Sequence, residues 1–303
     1  MKLEPGQLEG LALELRSRTE LELKRDIQLA AKVFGRRPRG SWLGEASEVL
    51  NGDDAAALRA PDGSYVLFAA EGMRAEFVAA DPWFAGYSAV MVNVSDIAAM
   101  GGRPWAVVDV IFLGSGANER VLEGMQAASV TFGVPVVGGH TTRVEGPTQL
   151  AAAIVGRARC LIESHTARPG QLLLAAIELL AELGEAKLVR AGKDISNAGV
   201  CGTLLMLLEA SHVGAVLDLG DLPAPTDVDP LRWLTAFPSY GFLLTVDPEH
   251  ARAVCDSFRQ RDVAAAVVGE VVAQPRLTLA YGRERALYAD LERSPLTGFG
   301  GAL

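Results

Sequence analysis

Asp96 is the residue whose surroundings fit it least. It lies in the apolar stretch Val92-Asn93-Val94-Ser95-Asp96-Ile97-Ala98-Ala99-Met100. A carboxylate in such a place costs several kcal/mol unless a cation, a metal or strong donors meet it, so Asp96 is the first functional candidate. Asn93, three residues earlier, shares its helical face. Asn51-Gly52-Asp53-Asp54 sets two acids at a turn, where Gly52 accepts the positive φ that a type I′ turn requires. In Gly138-Gly139-His140-Thr141 the two glycines let a backbone approach a ligand closely, and successive N–H groups of such a turn cradle a phosphate. Asp194, Ser196 and Asn197, in Asp194-Ile195-Ser196-Asn197-Ala198-Gly199, are favoured N-caps for the apolar helix that follows. A helix N-terminus also attracts phosphate, so capping and ligand binding are compatible there.

These residues need elements to hold them. Phe84, Tyr87, Met91, Val94 and Ile97, at steps of three or four, predict a helix from Asp81 through Met100, ended by Gly101-Gly102 and kept from resuming by Pro104. Tyr65 to Ala70 reads as a strand ending at Glu71. Trp105 to Leu113 reads as another, broken by Gly114-Ser115-Gly116 before a helix from Asn118 to Phe132, and Val134 to Val137 as a strand running into the glycines. Residues 7 to 34 give amphipathic helices with Lys24, Arg25 and Asp26 near their middle, where Lys24 by itself is a solvated charge. Leu150 to Cys160 completes a first domain, and Ser164 to Gly170 is the linker. The second half begins with a strand Leu172 to Ala175 and a helical pattern Leu179 to Ala191, joined without turn residues. Helices Val200 to Ala210 and Pro248 to Arg261 follow, with strands at Val216 to Leu219, Gly241 to Val246, Ala264 to Val272 and Arg276 to Tyr281. His165, His212 and His250 stand alone beside charges or turns and read as surface residues.

The 303-residue length suits two domains, each able to bury a real core. A net charge of −9 argues against nucleic acid as a partner, and the one basic run, Arg36-Arg37-Pro38-Arg39, is short. Three scattered cysteines suggest neither a disulfide framework nor a zinc site, which fits a reducing, cytoplasmic compartment. No window approaches 18 uninterrupted apolar residues, so no membrane partner is expected. Neither GxGxxG nor GxxxxGK[ST] occurs, so any ATP site lacks a Walker A loop.

The ordered set Gly52-Asp53-Asp54-Ala55-Ala56, Ser95-Asp96-Ile97-Ala98-Ala99-Met100-Gly101-Gly102 before a proline, and Gly138-Gly139-His140-Thr141 resembles the AIR synthase (PurM-like) superfamily, and within it the AIR synthase-related branch. Relatives include aminoimidazole ribonucleotide synthetase, thiamine-monophosphate kinase, selenophosphate synthetase and a hydrogenase maturation factor. The resemblance implies an α+β fold of two domains, a PurM-like N-terminal ATP- and metal-binding domain over residues 1–163 and a PurM-like C-terminal domain over 164–303, dimerising through the N-terminal sheets. It implies ATP and Mg²⁺ as cofactors and an unknown small molecule as acceptor. Asp53, Asp54, Glu71, Asp96 and Asp194 become the expected metal ligands. Asn93, Gly138, Gly139, His140 and Thr141 are expected around the nucleotide or acceptor, and Lys24 at phosphates. Relatives carry a Thr-Thr-Asp triplet where this chain has Ala69-Ala70-Glu71, which makes Glu71 a longer-armed substitute.

Kinase-like relatives put Asp at the His140 position. A neutral imidazole is a poor Mg²⁺ ligand, so His140 is assigned to substrate or phosphate contact. No cysteine precedes Cys160, which argues against selenophosphate synthesis. Three functions compete: an AIR-synthase-like ligase that activates an oxygen, a small-molecule kinase, and a nucleotide sensor without turnover. His140 and Glu71, each in place of Asp, weigh against a straightforward kinase.

Overall fold

Helices α1 (Leu8–Arg16), α2 (Thr19–Leu23) and α3 (Ile27–Phe34) open the chain, with one 3₁₀ turn, Lys24–Asp26, between the last two. The computed structural model describes residues 1–35, 50–116, 118–176, 180–239 and 241–300. The basic run at 36–39 and the join at 177–179 lie outside the described residues. The chain divides into two compact units, a first of Asp54–Leu161 and a second of Met1–Asp53 with Ile162–Leu303. The expected division after residue 163 groups the N-terminal helices with the first sheet. They belong instead with the second unit, because Leu8, Leu11, Ala12, Leu15 and Leu21 are buried in its core.

The first unit contains β1 (Ala56–Arg59), β2 (Tyr65–Met73), α4 (Ala75–Ala80), α5 (Pro82–Ala99), β3 (Arg103–Ser115), α6 (Asn118–Phe132), β4 (Val136–Pro147) and β5 (Gln149–Ala158). Its strands form one sheet in the order β1-β2-β5-β3-β4, antiparallel except where β4 runs parallel to β3. Helix α5 covers one face. Asp81 starts it by accepting from the Phe84 N–H at 3.1 Å, and Pro82 occupies the first turn, where a missing N–H is harmless. At the far end Gly101, at φ +71°, lets its N–H reach the Ala98 carbonyl and the Gly102 N–H reach that of Ile97. Helix α6 lies so close to α5 that a Cβ at Gly86 would strike the Val121 carbonyl, and one at Gly124 the Trp83 carbonyl. The other sheet face is open, with Phe68, Trp105, Val108, Val110 and Val137 exposed.

The second unit contains β6 (Leu172–Ala176), α7 (Leu180–Glu185), β7 (Ala191–Asp194), α8 (Gly199–Ser211), β8 (Gly214–Asp218), α9 (Pro230–Leu234), β9 (Phe242–Val246), α10 (Pro248–Arg259), β10 (Ala266–Val272), β11 (Arg276–Tyr281) and β12 (Glu284–Asp290). The described strands order as β12-β11-β8-β10-β6-β9-β7, antiparallel but for β11 beside β8. The apolar helix α8 supplies Leu204, Leu205, Leu207 and Leu208 to the core, each worth roughly 1.5 to 3 kcal/mol of burial.

Three expectations change here. The helical pattern to Ala191 stops at Glu185, where Lys187 takes φ 58°, and residues 191–194 form a strand instead. Val136 to Pro147 is continuous strand, so the glycine pair is not a turn: register pairing with β3 overrides it. His165 is not a surface residue, since its side chain is 6 % exposed. No described helix is long and apolar enough to cross a membrane.

Candidate active site

In the first unit, α5 carries an unusual set of buried polar groups: Ser88, Asn93 and Ser95 are fully enclosed and Asp96 nearly so. The Asn93 amide donates to the Ala89 carbonyl at 2.8 Å and to the Ala152 carbonyl of β5 at 3.2 Å. Asn93 therefore fixes the roll of α5 on the sheet. Its Oδ1, with the hydroxyls of Ser88 and Ser95, has no hydrogen-bond partner among the described residues, an arrangement a native core seldom keeps without a use.

Below that helix the register brings an acidic row together. Glu71 of β2 pairs with Ala152, Ala152 with Asp109 of β3, and Asp109 with Gly139 of β4. Ala152 is the residue whose carbonyl receives Asn93, so the amide sits over the row's centre. Asp109 was not foreseen. Burial pushes its carboxyl above the usual range, and a Cβ at Gly139 would stand 2.6 Å from the Asp109 carboxyl, so glycine there leaves the acid its room. The signal was present in the sequence: Asp109 interrupts Val107-Val108 and Val110-Ile111 as Asp96 interrupts its helix. Thr141 is in register with buried Ile111, on the helix-covered face. His140 is in register with Val110 of the open face, so successive side chains of this run point to opposite sides and His140 is not brought to Asp96.

In the second unit Asp53 ends the turn that follows Asn51, and its side chain is 1 % exposed. It accepts from the Ser164 hydroxyl at 2.5 Å and the Ser164 N–H at 2.9 Å, with His165 Nε2 at 3.8 Å. Burial first, and the Asp53 charge second, raise the Glu163 carboxyl. Asp194 and Lys193, both buried, end β7. The Ser196 N–H donates to Thr203 Oγ1 at 2.9 Å, and the N-cap of α8 is Ala198, with no side-chain cap. The expected capping by Asp194, Ser196 or Asn197 is thus not made, and Asn197 Oδ1 is buried with no hydrogen-bond partner among the described residues. Lys24 is half-buried in its 3₁₀ turn.

Among the described residues no three His, Cys, Asp or Glu side chains converge as a cage for a metal ion. Hard carboxylate oxygens in ones and twos nevertheless suit Mg²⁺, which keeps several waters and is held by one or two carboxylates plus substrate phosphates. The donor chemistry fits.

Residues 52–158 match the N-terminal domain of AIR synthase related protein, and residues 152–282 its C-terminal domain. The chain belongs to the AIR synthase related family. An uncharacterised member from Synechocystis sp. is 41 % identical over 97 % of this chain and 99 % of its own length. The thiamine-monophosphate kinase of Synechococcus elongatus is 25 % identical, over 75 % of this chain and 85 % of the kinase. In structure, the PurL of Thermotoga maritima complexed with ATP superposes with a TM-score of 0.78 at 21 % identity, across 99 % of this chain and 53 % of PurL. This AIR synthase related chain thus spans about half of that protein. The resemblance carried by the glycine-acid and glycine-histidine motifs holds, and so does the expected two-domain α+β fold.

Proposed function

We propose that this chain is a Mg²⁺-dependent enzyme that uses ATP to activate an oxygen of a small-molecule acceptor, in the manner of AIR synthase. The observation that carries the reading is the buried polar set of α5, whose Asn93 amide bonds the centre of the row Glu71, Ala152, Asp109 and Gly139. Phosphoryl chemistry asks the protein for positioning and charge neutralisation rather than covalent help. Asp54, Glu71 and Asp96 of the first unit, and Asp53 and Asp194 of the second, are proposed as Mg²⁺ ligands, each within its own unit, where the ion would neutralise phosphate charge. Asn93, expected beside the nucleotide, takes the role of setting Asp96 through α5. Gly139 ends the row, with Gly138 next to it in the strand and Thr141 on the same face, and in the second unit the N-terminus of α8, which has no side-chain cap, favours an anion. Lys24 and His140 are assigned to phosphate and acceptor contact on their motifs alone.

The likeness to thiamine-monophosphate kinase over most of that protein's length supports a second reading, direct phosphorylation of the acceptor. Product analysis with ATP and candidate acceptors separates them. The first reading expects ADP, free phosphate and an unphosphorylated product; a phosphorylated acceptor establishes the kinase. Unchanged ATP across a broad acceptor panel leaves a sensor and removes both.

We also propose a homodimer through the open face of the first sheet. Trp105, 50 % exposed, and Val137, 63 % exposed, lie there with Phe68, Val108 and Val110, too apolar a surface to stay in water. Sedimentation of the wild type should give twice the 32.0 kDa chain mass. Val108→Asp places a charge in each copy of a self-complementary interface and should yield monomers of unchanged fold. A wild type that sediments as a monomer at micromolar concentration contradicts the assignment.

A further inference from the structure

Glu209 lies near the end of α8, 5 % exposed, in the otherwise apolar run Leu204 to Ala210. Its carboxylate is met by four donors from the other end of the chain. Oε1 accepts from the N–H groups of Leu296 and Gly298, both at 3.1 Å, and Oε2 from the Thr297 N–H and hydroxyl, both at 2.8 Å. Three consecutive backbone donors around one carboxylate impose a single course on residues 296–298, because the Leu296 and Thr297 N–H groups would otherwise be buried without an acceptor. Two more contacts hold the same segment. Gln28 of α3 donates to the Pro295 and Leu296 carbonyls at 3.2 and 3.0 Å, and a Cβ at Gly300 would stand 2.5 Å from Glu209 Cγ.

The strap so formed ends against the candidate site. Phe299 is buried, and a Cβ at Gly52 would stand 2.6 Å from its Cγ. Gly52, at φ +103°, is therefore glycine for two reasons, its backbone conformation and the ring pressed on it. The next residue is Asp53, whose carboxylate is fixed by the N–H and hydroxyl of Ser164.

We propose that Glu209 is a positioning residue for the Asp53 turn: it gathers the backbone of Leu296, Thr297 and Gly298 so that Phe299 clamps Gly52. The proposal rests on the reading of Asp53 as a ligand of the nucleotide's metal. Nothing in it requires Glu209 to touch substrate, and distance along the chain hides the connection from sequence.

Two variants test it. Glu209→Gln keeps the shape but replaces one acceptor oxygen with a donor that faces N–H groups. Phe299→Ala leaves the carboxylate's bonds intact and removes the clamp, so it remains informative if the first variant folds poorly. Hydrogen exchange read by mass spectrometry should show protection of residues 51–54 falling at least tenfold in both, with the core of α8 unchanged. The Kd for Mg²⁺-ATP should rise at least tenfold in each, and the double variant should be no worse than the weaker-binding single variant, as expected of groups acting through one contact. Loosening of 294–300 with undiminished protection at 51–54 overturns the proposal. Wild-type protein that binds no Mg²⁺-ATP overturns the functional reading instead, and the exchange measurement still decides the clamp.

Discussion

Asp96→Asn is expected to weaken Mg²⁺-dependent ATP binding by at least tenfold, about 1.4 kcal/mol, while leaving the melting temperature of the metal-free protein unchanged or slightly raised. Asn keeps the volume of Asp and loses its charge. In a metal-ligand role the lost charge matters only when the cation is present, and in its absence an amide is cheaper to bury than a carboxylate. A purely structural role gives the opposite pattern. If Asp96, 6 % exposed, chiefly serves to pair with a buried cation, the metal-free variant loses roughly 3 to 5 kcal/mol and binds nucleotide normally once folded. Melting curves of both proteins, with and without Mg²⁺-ATP, separate the two patterns.

Gly124→Val is expected to cost about 3 kcal/mol or more, and roughly 10 °C of melting temperature. Two effects compete. Replacing a helical glycine with valine gains only roughly 0.3 kcal/mol of propensity, because Val ranks well below Ala. Against it, the new Cβ meets the Trp83 carbonyl and lies 2.8 Å from the Tyr87 N–H, backbone atoms that no rotamer change can move aside. The helices must separate, and the overpacking term wins. Because α6 holds α5 on the sheet, the same change should also weaken Mg²⁺-ATP binding by shifting Asp96 and Asn93 over the row. A variant as stable as wild type would show that the α5–α6 approach is looser than the structure has it. Calorimetric melts settle the point.

The parts of the fold that the sequence made legible are those with strong local signals. Helix α5 runs from Pro82 to Ala99 and stops at Gly101, β3 holds Trp105 to Leu113, and α6 runs from Asn118 to Phe132, all as their periodicity and breakers indicate. Non-local causes defeated the rest. Gly138-Gly139 reads as a turn by composition, yet β3 offers it a partner through residue-by-residue register. Ala191 to Asp194 has no β-branched residue and is a strand only because β9 pairs with it. His165 looks solitary in sequence and is enclosed near Asp53, which comes from more than a hundred residues earlier. Asp109 and Glu209 are instructive in another way. Each is a lone acid in an apolar run, the same signal that singled out Asp96, and the rule applied evenly would have found all three.

The carboxylates of this family member are expected to serve Mg²⁺ and the phosphates of ATP. Calorimetric titration of the wild-type protein with ATP, once in millimolar Mg²⁺ and once in EDTA, tests it most directly. Saturable binding in Mg²⁺ that weakens at least tenfold in EDTA is the expected result. Equal affinity in the two buffers, or no binding in either, would contradict the carboxylate assignment and the function built on it.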